Sequence, residues 1–297
     1  MLPRPMSGQL HIVTAWPHVS AFEFSPSSPP STSLVLFVGG LSDSLGSVPY
    51  LARLASGLAE KGWGLAQASL RSTANGWGGA TVEDDAKELA EVVKYFRERG
   101  RERVVLMGHS TGTQDAIAYL HLRQSSSFPS LDAVILQAPV SDREIVETDL
   151  PRILPDKLPP SSSPQDYVPH SFSKEWPLRG GITFQRYKSL CAKPSSDEID
   201  LSVSEDFFSS DLSDSRLANV FRPLQCPLLA VLSGEDSTYP SHVKAGLPAL
   251  LERFQAAIPG GGKWWSDESG IINGAAHDCA GHQDELVAKV VRFVAAL

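Results

Sequence analysis

Cysteine is scarce in this chain, and the cysteines that occur lie far apart. Cys191, Cys226 and Cys279 are odd in number and form no Cys-x-x-Cys pair. Disulfide frameworks need paired cysteines and an oxidising compartment. The sequence therefore favours a reducing compartment, and we expect a cytoplasmic protein.

Long apolar runs and basic clusters are missing as well. About eighteen consecutive apolar residues are needed to cross a bilayer, and the sequence has no such run. Met1–His18 contains three prolines and lacks the unbroken apolar core of a secretory signal. The net charge is −8 and no Lys/Arg cluster offers a phosphate-binding patch. We expect neither a membrane nor a nucleic acid as partner.

The residues that are present suffice for one large folded domain. The chain has 297 residues, of which 42% are hydrophobic and 20% charged, which is ordinary for a globular protein. This length accommodates one α/β domain with insertions, and no linker divides it. We therefore predict a single domain over residues 1–297.

The most informative segment is 103–112, where a mostly apolar run ends in Gly-His-Ser-Thr-Gly. Such a turn between a strand and a helix is typical of a nucleophile elbow, with Ser110 as the nucleophile. Gly108 and Gly112 are needed because a serine on so tight a turn crowds the residues two positions away. The backbone N–H of Thr111 would begin the next helix, which makes it a candidate oxyanion donor.

Strand and helix patterns alternate around this motif. The alternation predicts a mostly parallel, doubly wound sheet with functional loops at the carboxyl ends of its strands. The predicted strands are 10–14 and 21–24, both at sheet edges, then 34–38, 64–70, 104–107, 131–137, 227–233 and 270–273. The predicted helices are 49–61, 81–99 with a capping box at Thr81 and Asp84, 115–123, 241–258 and 283–297.

The alternation stops between Pro139 and Pro223, where prolines and serines are frequent. A long irregular insertion in a compact domain is usually a functional lid or a binding loop. We predict that residues 140–222 form a lid inserted into the domain.

A serine nucleophile needs a base, and the base needs an acid that fixes its tautomer. On an α/β-hydrolase scaffold these follow in the order serine, acid, histidine. Asp236 comes just after the strand at 227–233, in a Gly-Glu-Asp-Ser-Thr-Tyr-Pro turn, and His277 ends a strand that runs into small residues. The sequence predicts a triad of Ser110, Asp236 and His277.

Alternatives for two triad members stay open. Glu235 adjoins the predicted acid, and Asp142 follows the sixth predicted strand, where such folds sometimes hold the acid instead. His282, five residues after the predicted base, is its rival. His109 adjoins the nucleophile but points away from it on an elbow turn, so we expect it to be a packing residue.

The second oxyanion donor should come from the loop that follows the strand at 34–38. Gly39 and Gly40 let this backbone approach a ligand closely, and the N–H of Leu41 is the predicted donor, unless the glycines merely form a turn. Asn75 and Trp77, in a glycine-rich stretch at another strand end, join Gly40 as candidate substrate-binding residues. A flexible surface loop is the equal alternative for them.

His277, Asp278, Cys279 and His282 are potential metal ligands that lie close together in the sequence. Their spacing matches no known zinc pattern, and no second ligand pair accompanies them. We expect no metal and no cofactor.

The segment 197–214 holds seven acidic residues and no basic one. A solvated face is the simple interpretation of such a charge run. If it lined the mouth of the site, it would favour cationic or neutral substrates over anionic ones.

Four phrases of the sequence resemble one group of fungal proteins. They are FVGGLSD at 37–43, MGHSTGTQD at 107–115, SDRE at 141–144 and FFSSDL at 207–212. With the acid turn and Gly-Ala-Ala-His, the chain resembles the α/β-hydrolase superfamily over nearly its whole length. Within it, the chain is similar to the fungal DUF1749-type group that includes an intracellular fusarinine siderophore esterase.

The resemblance implies an esterase that cleaves the ester bonds of fusarinine-type hydroxamate siderophores and so releases iron inside the cell. Its partner would be a small-molecule ester, and iron would arrive within the substrate. Another esterase, a thioesterase or an acyltransferase of the same fold remains an alternative, as does a binding protein without turnover. The oligomeric state does not follow from the sequence.

Overall fold

The computed structural model describes residues 5–25, 29–174 and 180–297. The strands within these ranges are β1 Gly8–Thr14, β2 Val19–Phe24, β3 Ser33–Val38, β4 Trp63–Ser69, β5 Arg103–His109, β6 Ala133–Gln137, β7 Leu228–Ser233 and β8 Gly270–Ile272. The α-helices are α1 Leu51–Ala59, α2 Val82–Arg97, α3 Gly112–Arg123, α4 Asp142–Asp149, α5 His170–Ser173, α6 Phe184–Cys191, α7 Asp214–Phe221, α8 Ser241–Ala245, α9 Leu247–Ala257 and α10 Gln283–Ala295.

All eight strands belong to one sheet in the order β1-β2-β4-β3-β5-β6-β7-β8. In this order every neighbouring pair from β4 to β8 is parallel. The pairs β1–β2 and β2–β4 are antiparallel. The predicted α/β-hydrolase fold with a mostly parallel, doubly wound sheet is confirmed. The prediction of β2 as an edge strand is wrong, because β2 lies between β1 and β4 and is buried on both faces.

The sheet is covered on both faces, which explains why its central strands are apolar throughout. In β5, Val104 and Leu106 face a core that includes the inner sides of α2 and α3, whereas Val105 and Met107 face a second core that includes α1 and α10. Alternate side chains of a strand point to opposite faces. Strand β5 is therefore held from both sides, and its carboxyl end is a rigid place for a functional turn.

Helix boundaries follow local chemistry. The predicted capping box is present, since the Thr81 hydroxyl accepts from the Asp84 N–H at 3.2 Å and the Asp84 carboxylate accepts from the Thr81 N–H at 3.1 Å. One helix was predicted over 241–258, but two are found, with Gly246 between them. Pro248 explains the break, because proline fits the first turn of a helix and not its interior.

Residues between β6 and β7 contribute to a small hydrophobic core of their own. Residues 175–179 of the predicted lid lie outside the described ranges. Leu41, from the loop after β3, packs against this core. Its buried members are Trp77, Val146, Ile153, Val168, Ile182, Phe184, Tyr187, Leu190 and Cys191.

The cysteines are all in the part of the chain that the structure describes. Cys191, Cys226 and Cys279 are buried and unpaired. In residues 5–25, 29–174 and 180–297, no helix combines the length and the hydrophobicity that a bilayer-spanning helix needs.

Candidate active site

Strand β5 ends in a strained turn that carries Ser110. The φ angle of Ser110 is +54°, a value that side-chain-bearing residues rarely adopt, and α3 begins two residues later. A Cβ on Gly112 would lie 2.5 Å from the carbonyl oxygen of Val38, and a Cβ on Gly108 would collide with Gly112. Only glycine fits at either position, as the sequence pattern predicted for an elbow.

Asp236 and His277 are joined by a hydrogen bond at the same end of the sheet. His277 Nδ1 donates to Asp236 Oδ2 at 2.6 Å, and the carboxylate also accepts from the Thr238 N–H and hydroxyl at 2.8 and 2.6 Å. Burial by itself would raise the pKa of Asp236, but the hydrogen bonds and the attraction to His277 hold that pKa below its ordinary value. Asp236 is therefore an ionised carboxylate that orients the imidazole.

The loops after β7 and β8 bring these two side chains together because their backbones are paired. The Gly234 N–H donates to the Ile272 carbonyl at 2.9 Å, and the Glu235 N–H donates to the Ala275 carbonyl at 2.9 Å. The parallel pairing of β7 with β8 thus continues into the turns. Asp236 follows directly on the first turn, and its contact with the imidazole is set by the strand register.

His277 also lies against the residue that precedes the predicted nucleophile. The rings of His109 and His277 are 4.9 Å apart between centroids. The acid–base pair and the elbow therefore occupy one site, formed by the carboxyl ends of β5, β7 and β8.

His109 is a buried packing residue, as predicted. Its ring lies beside Phe37 and Tyr50, and Nδ1 hydrogen-bonds to Gln137 Oε1. Burial lowers the pKa of His109 to about 4, and the neighbouring His277 contributes to the lowering. His109 is therefore uncharged at neutral pH.

Gln137 and Tyr50 were not singled out from the sequence. Gln137 is the last residue of β6, and its amide contacts the Tyr50 hydroxyl, His109 and the His277 carbonyl. The available signal was a polar residue at the end of an otherwise apolar strand, since buried polar groups must be paired. No such pattern marked Tyr50.

The loop after β3 passes close to Ser110. A Cβ on Gly40 would lie 2.6 Å from the Ser110 Cβ, so only glycine allows this approach. The Gly40 N–H already donates to Asp43 Oδ2 at 2.8 Å. This bond leaves the next amide, that of Leu41, as the candidate on this loop, while Thr111 supplies the candidate at the start of α3.

The rival acids and the rival base lie in other surroundings. Glu235 is exposed and 4.0 Å from Lys244. Asp142 is buried, accepts from Gln114 Nε2 at 3.3 Å, and has its pKa raised to about 6 by burial. His282 stands at the start of α10, next to the turn at Gly274.

Asn75 and Trp77 lie in the loop after β4, and only one of them is exposed. Asn75 belongs to a single exposed turn, whereas Trp77 is 1% exposed and packs in the core of the insertion. The Thr183 N–H donates to the Gly78 carbonyl at 2.8 Å, so this loop and the insertion are joined. Trp77 thereby positions the insertion relative to the sheet.

A group of buried charges lies beneath the insertion. Arg186 pairs with Glu205, and both are fully buried. Asp85, Asp115 and Asp142 are buried nearby, and burial raises the pKa of each, that of Asp85 to about 7. Arg186 interacts electrostatically with all of them and so holds α6 over α2 and α3.

The acidic segment 197–214 is largely neutralised by arginines and lysine from elsewhere in the chain. This finding favours a structural role over an acidic mouth. Five of its carboxylates have cationic partners, in the pairs Glu198–Arg222, Glu205–Arg186, Asp206–Arg143, Asp211–Arg143 with Lys193, and Asp214–Arg253.

Among the described residues, no group of three or more histidine, cysteine or acidic side chains is placed to hold a metal ion. Cys279 is buried, with its thiol 3.6 Å from the Ser233 hydroxyl.

Comparison with known proteins identifies the family. A profile described as "Protein of unknown function (DUF1749)" matches residues 1–295. The chain belongs to the DUF1749 family. The resemblance inferred from the sequence phrases is thereby confirmed.

Similar proteins match this DUF1749 chain over nearly its whole length. The fusarinine C esterase sidJ of Aspergillus fumigatus is 32% identical in an alignment that covers 93% of this chain and 92% of sidJ. Esterase AN6793 of Emericella nidulans is 29% identical and is matched over 98% of this chain and 93% of its own.

Solved structures support the same fold. The siderophore hydrolase EstB from Aspergillus fumigatus superimposes with a TM-score of 0.79 at 29% identity, and 98% of each chain is covered. Est1E from Butyrivibrio proteoclasticus gives a TM-score of 0.64 at 15% identity, with 97% of this chain and 98% of Est1E covered. The second likeness concerns the fold alone.

Proposed function

We propose that this protein is a serine carboxylic ester hydrolase with Ser110 as nucleophile, His277 as base and Asp236 as the orienting acid. The observation that carries the proposal is the 2.6 Å hydrogen bond between His277 Nδ1 and Asp236 Oδ2, with the His277 ring 4.9 Å from that of His109, which precedes a serine at φ +54°. An ionised acid, an oriented imidazole and a serine on a strained elbow are the parts that acyl transfer requires.

The reaction proceeds in two halves. His277 Nε2 accepts the Ser110 hydroxyl proton while the oxygen attacks the ester carbonyl, and it then gives that proton to the departing alcohol, which leaves an acyl-serine. Water attacks the acyl-serine with His277 again as base, the acid product leaves, and the proton returns to Ser110. Asp236 stays ionised throughout because its hydrogen bonds stabilise the carboxylate.

The oxyanion formed in each half is stabilised by the backbone N–H groups of Leu41 and Thr111. Thr111 stands at the start of α3, where the helix dipole favours negative charge. Leu41 follows Gly40, which lies against Ser110. Removal of one such donor typically costs about 10²–10³ in kcat.

The substrate we propose is an ester of a fusarinine-type hydroxamate siderophore. The support is the similarity to two proteins named as a fusarinine C esterase and a siderophore hydrolase, at 32% and 29% identity over nearly the full chain. Iron enters as cargo of the substrate, and hydrolysis releases it for iron metabolism.

The insertion 140–222 is proposed as the cap of this site within a single domain, 1–297. Leu41, next to the proposed oxyanion loop, packs against the core of the insertion. Trp77 lies in the same core, and Asn75 is exposed two residues before it. This packing supports the proposal that the insertion bounds the substrate site, with Gly40, Asn75 and Trp77 as candidate substrate-binding residues.

We also propose a cytoplasmic location, because the three cysteines are buried and unpaired, as suits a reducing compartment. Fractionation of the source cells checks this, and recovery of the protein with secreted material would contradict it.

The test is incubation of purified protein with ferri- and desferri-fusarinine esters, beside short p-nitrophenyl esters, with products identified by mass. We expect cleaved hydroxamate units from the siderophore, and no products with Ser110→Ala. Cleavage of p-nitrophenyl esters alone would refute the siderophore substrate, while the proposed esterase activity would stand. Equal turnover by Ser110→Ala would refute the mechanism.

A further inference from the structure

Gln137 is completely buried, and its side-chain amide uses all four of its hydrogen-bonding positions. Oε1 accepts from the Tyr50 hydroxyl at 3.0 Å and from His109 Nδ1. Nε2 donates to the His277 carbonyl at 3.2 Å and to the Cys279 thiol at 3.6 Å. An amide has two acceptor and two donor positions. No other natural side chain of this length offers both.

The main chain of Gln137 holds the elbow as well. Its carbonyl accepts the N–H of Ser110 at 3.0 Å. A backbone in the left-handed region costs about 1–3 kcal/mol and persists only where its surroundings enforce it, and φ of Ser110 is +54°. One residue thus fastens both the strained turn and the loop of the base.

We propose that Gln137 is a positioning residue, whose amide fixes the backbone of His277 relative to Ser110 for proton transfer. The inference rests on the proposed Ser110–His277–Asp236 mechanism. Asp236 holds the imidazole through Nδ1, which fixes the tautomer and the direction of the ring. The bond from Gln137 to the His277 carbonyl fixes the position of the backbone from which the imidazole extends. The two restraints are therefore complementary.

The partner of Gln137 on the elbow, His109, is an uncharged neighbour of the base, and burial rather than the amide keeps it so. Gln137 Oε1 accepts a hydrogen bond from Nδ1–H of neutral His109, whose ring centroid is 4.9 Å from that of His277. A positive charge at this distance would oppose the imidazolium that forms on His277 during each proton transfer. Burial lowers the pKa of His109 to about 4, although the hydrogen bond to Gln137 by itself raises that pKa.

The test replaces the amide with a side chain of similar length that makes no hydrogen bonds, Gln137→Met. We expect kcat to fall about 100-fold, since a displacement of one ångström in a catalytic group costs about this much, while KM changes by less than about threefold. Titrating the active sites with a fluorophosphonate normalises kcat to folded enzyme.

A matched control separates positioning from stability. Gln67, in β4, is also a buried strand glutamine, and it joins two backbone groups, the Gly46 N–H at 2.9 Å and the Ser44 carbonyl at 3.2 Å. None of these partners belongs to the proposed triad. Gln67→Met should lower stability comparably and leave kcat per active site unchanged.

A second variant, Gln137→Glu, keeps the shape and the acceptor but lacks the donor for the His277 carbonyl. It should lose kcat to a similar extent, and in both Gln137 variants the far-downfield proton resonance of His277 Nδ1–H should shift or broaden. Wild-type kcat and an unchanged resonance in these variants would overturn the positioning role of Gln137 but not the proposed mechanism. Full activity of Ser110→Ala would instead overturn the proposed mechanism.

Discussion

Asp236 and Asp142 are both buried near the elbow, yet their electrostatic environments are opposite. Hydrogen bonds from His277 and Thr238 hold the pKa of Asp236 below its ordinary value despite burial. Burial raises the pKa of Asp142 to about 6, with one hydrogen bond from Gln114 opposing it. Of the two, Asp236 therefore offers the ionised carboxylate that the proposed base, His277, needs.

This difference predicts unequal effects of the same substitution at the two positions. Asp236→Asn should lower kcat by about 10⁴-fold, because the imidazole loses its tautomer and its counter-charge. Asp142→Asn should keep kcat within about threefold. Steady-state hydrolysis of a p-nitrophenyl ester measures both, and the reverse order of effects would move the acid to Asp142.

Asp142 also predicts a pH dependence of stability. Its folded pKa of about 6 lies above the value of 3.8 expected when unfolded, so the native state binds more protons between these pH values. Stability is then lost as pH rises from about 4 to 6, and the full cost persists above that. We expect Asp142→Asn to be more stable than the parent by about 1–3 kcal/mol at pH 8 and equal to it near pH 3.5. Urea titrations at the two pH values check this, and equal differences at both would contradict it.

Helix α6 is anchored by the buried guanidinium of Arg186. Arg186 is paired with Glu205, and both side chains are buried. Removing one member of such a pair leaves a buried, uncompensated charge, which typically costs about 3–5 kcal/mol. The insertion is thus fastened to the sheet domain by an interaction that is costly to break.

Arg186→Met should therefore destabilise the protein by about 3–5 kcal/mol. The control is Arg292→Met, which removes an exposed pair with Glu268 and should cost less than about 1 kcal/mol. Chemical denaturation of both variants measures the difference. A cost for Arg186→Met no larger than that of the control would show that the buried pair does not anchor α6.

Two phrases that carried the family resemblance turn out to contact each other. Arg143, in the phrase at 141–144, donates to Asp206 Oδ2 at 2.6 Å and pairs with Asp211. Glu144 accepts the N–H of Ser210 at 3.0 Å. These phrases join α4 to the chain that precedes α7, so their role is to shape the insertion.

The sequence left segment 197–214 either as a solvated face or as an acidic mouth of the site, and its ion pairs favour the first interpretation. Five carboxylates of segment 197–214 have cationic partners. We therefore expect KM for a cationic ester to change by less than about twofold when salt is raised from about 50 to 500 mM, because paired charges exert little long-range attraction. A steep rise of KM with salt would instead support the interpretation that segment 197–214 lines the entrance of the active site.

Local patterns sufficed for the sheet and the elbow. Continuous apolar runs marked β3, β5, β6 and β7 because these strands are buried on both faces, and glycines 108 and 112 marked the turn because no side chain fits there. The capping box at Thr81 and Asp84 marked the start of α2.

Long-range partners could not be inferred in the same way. The place of β2 inside the sheet depends on pairing with β4, which lies some forty residues away in sequence. The arginines that neutralise the carboxylates of segment 197–214 lie in other parts of the chain. The proposed role of Gln137 depends on four hydrogen-bond partners that are spread between residues 50 and 279.

The central claim is that the hydroxyl of Ser110 becomes acylated through proton transfer to His277. A fluorophosphonate reagent, followed by peptide mapping by mass, tests it directly. We predict one adduct, on Ser110, that forms far more slowly in His277→Ala. An adduct on another residue, or undiminished labelling in His277→Ala, would contradict the account.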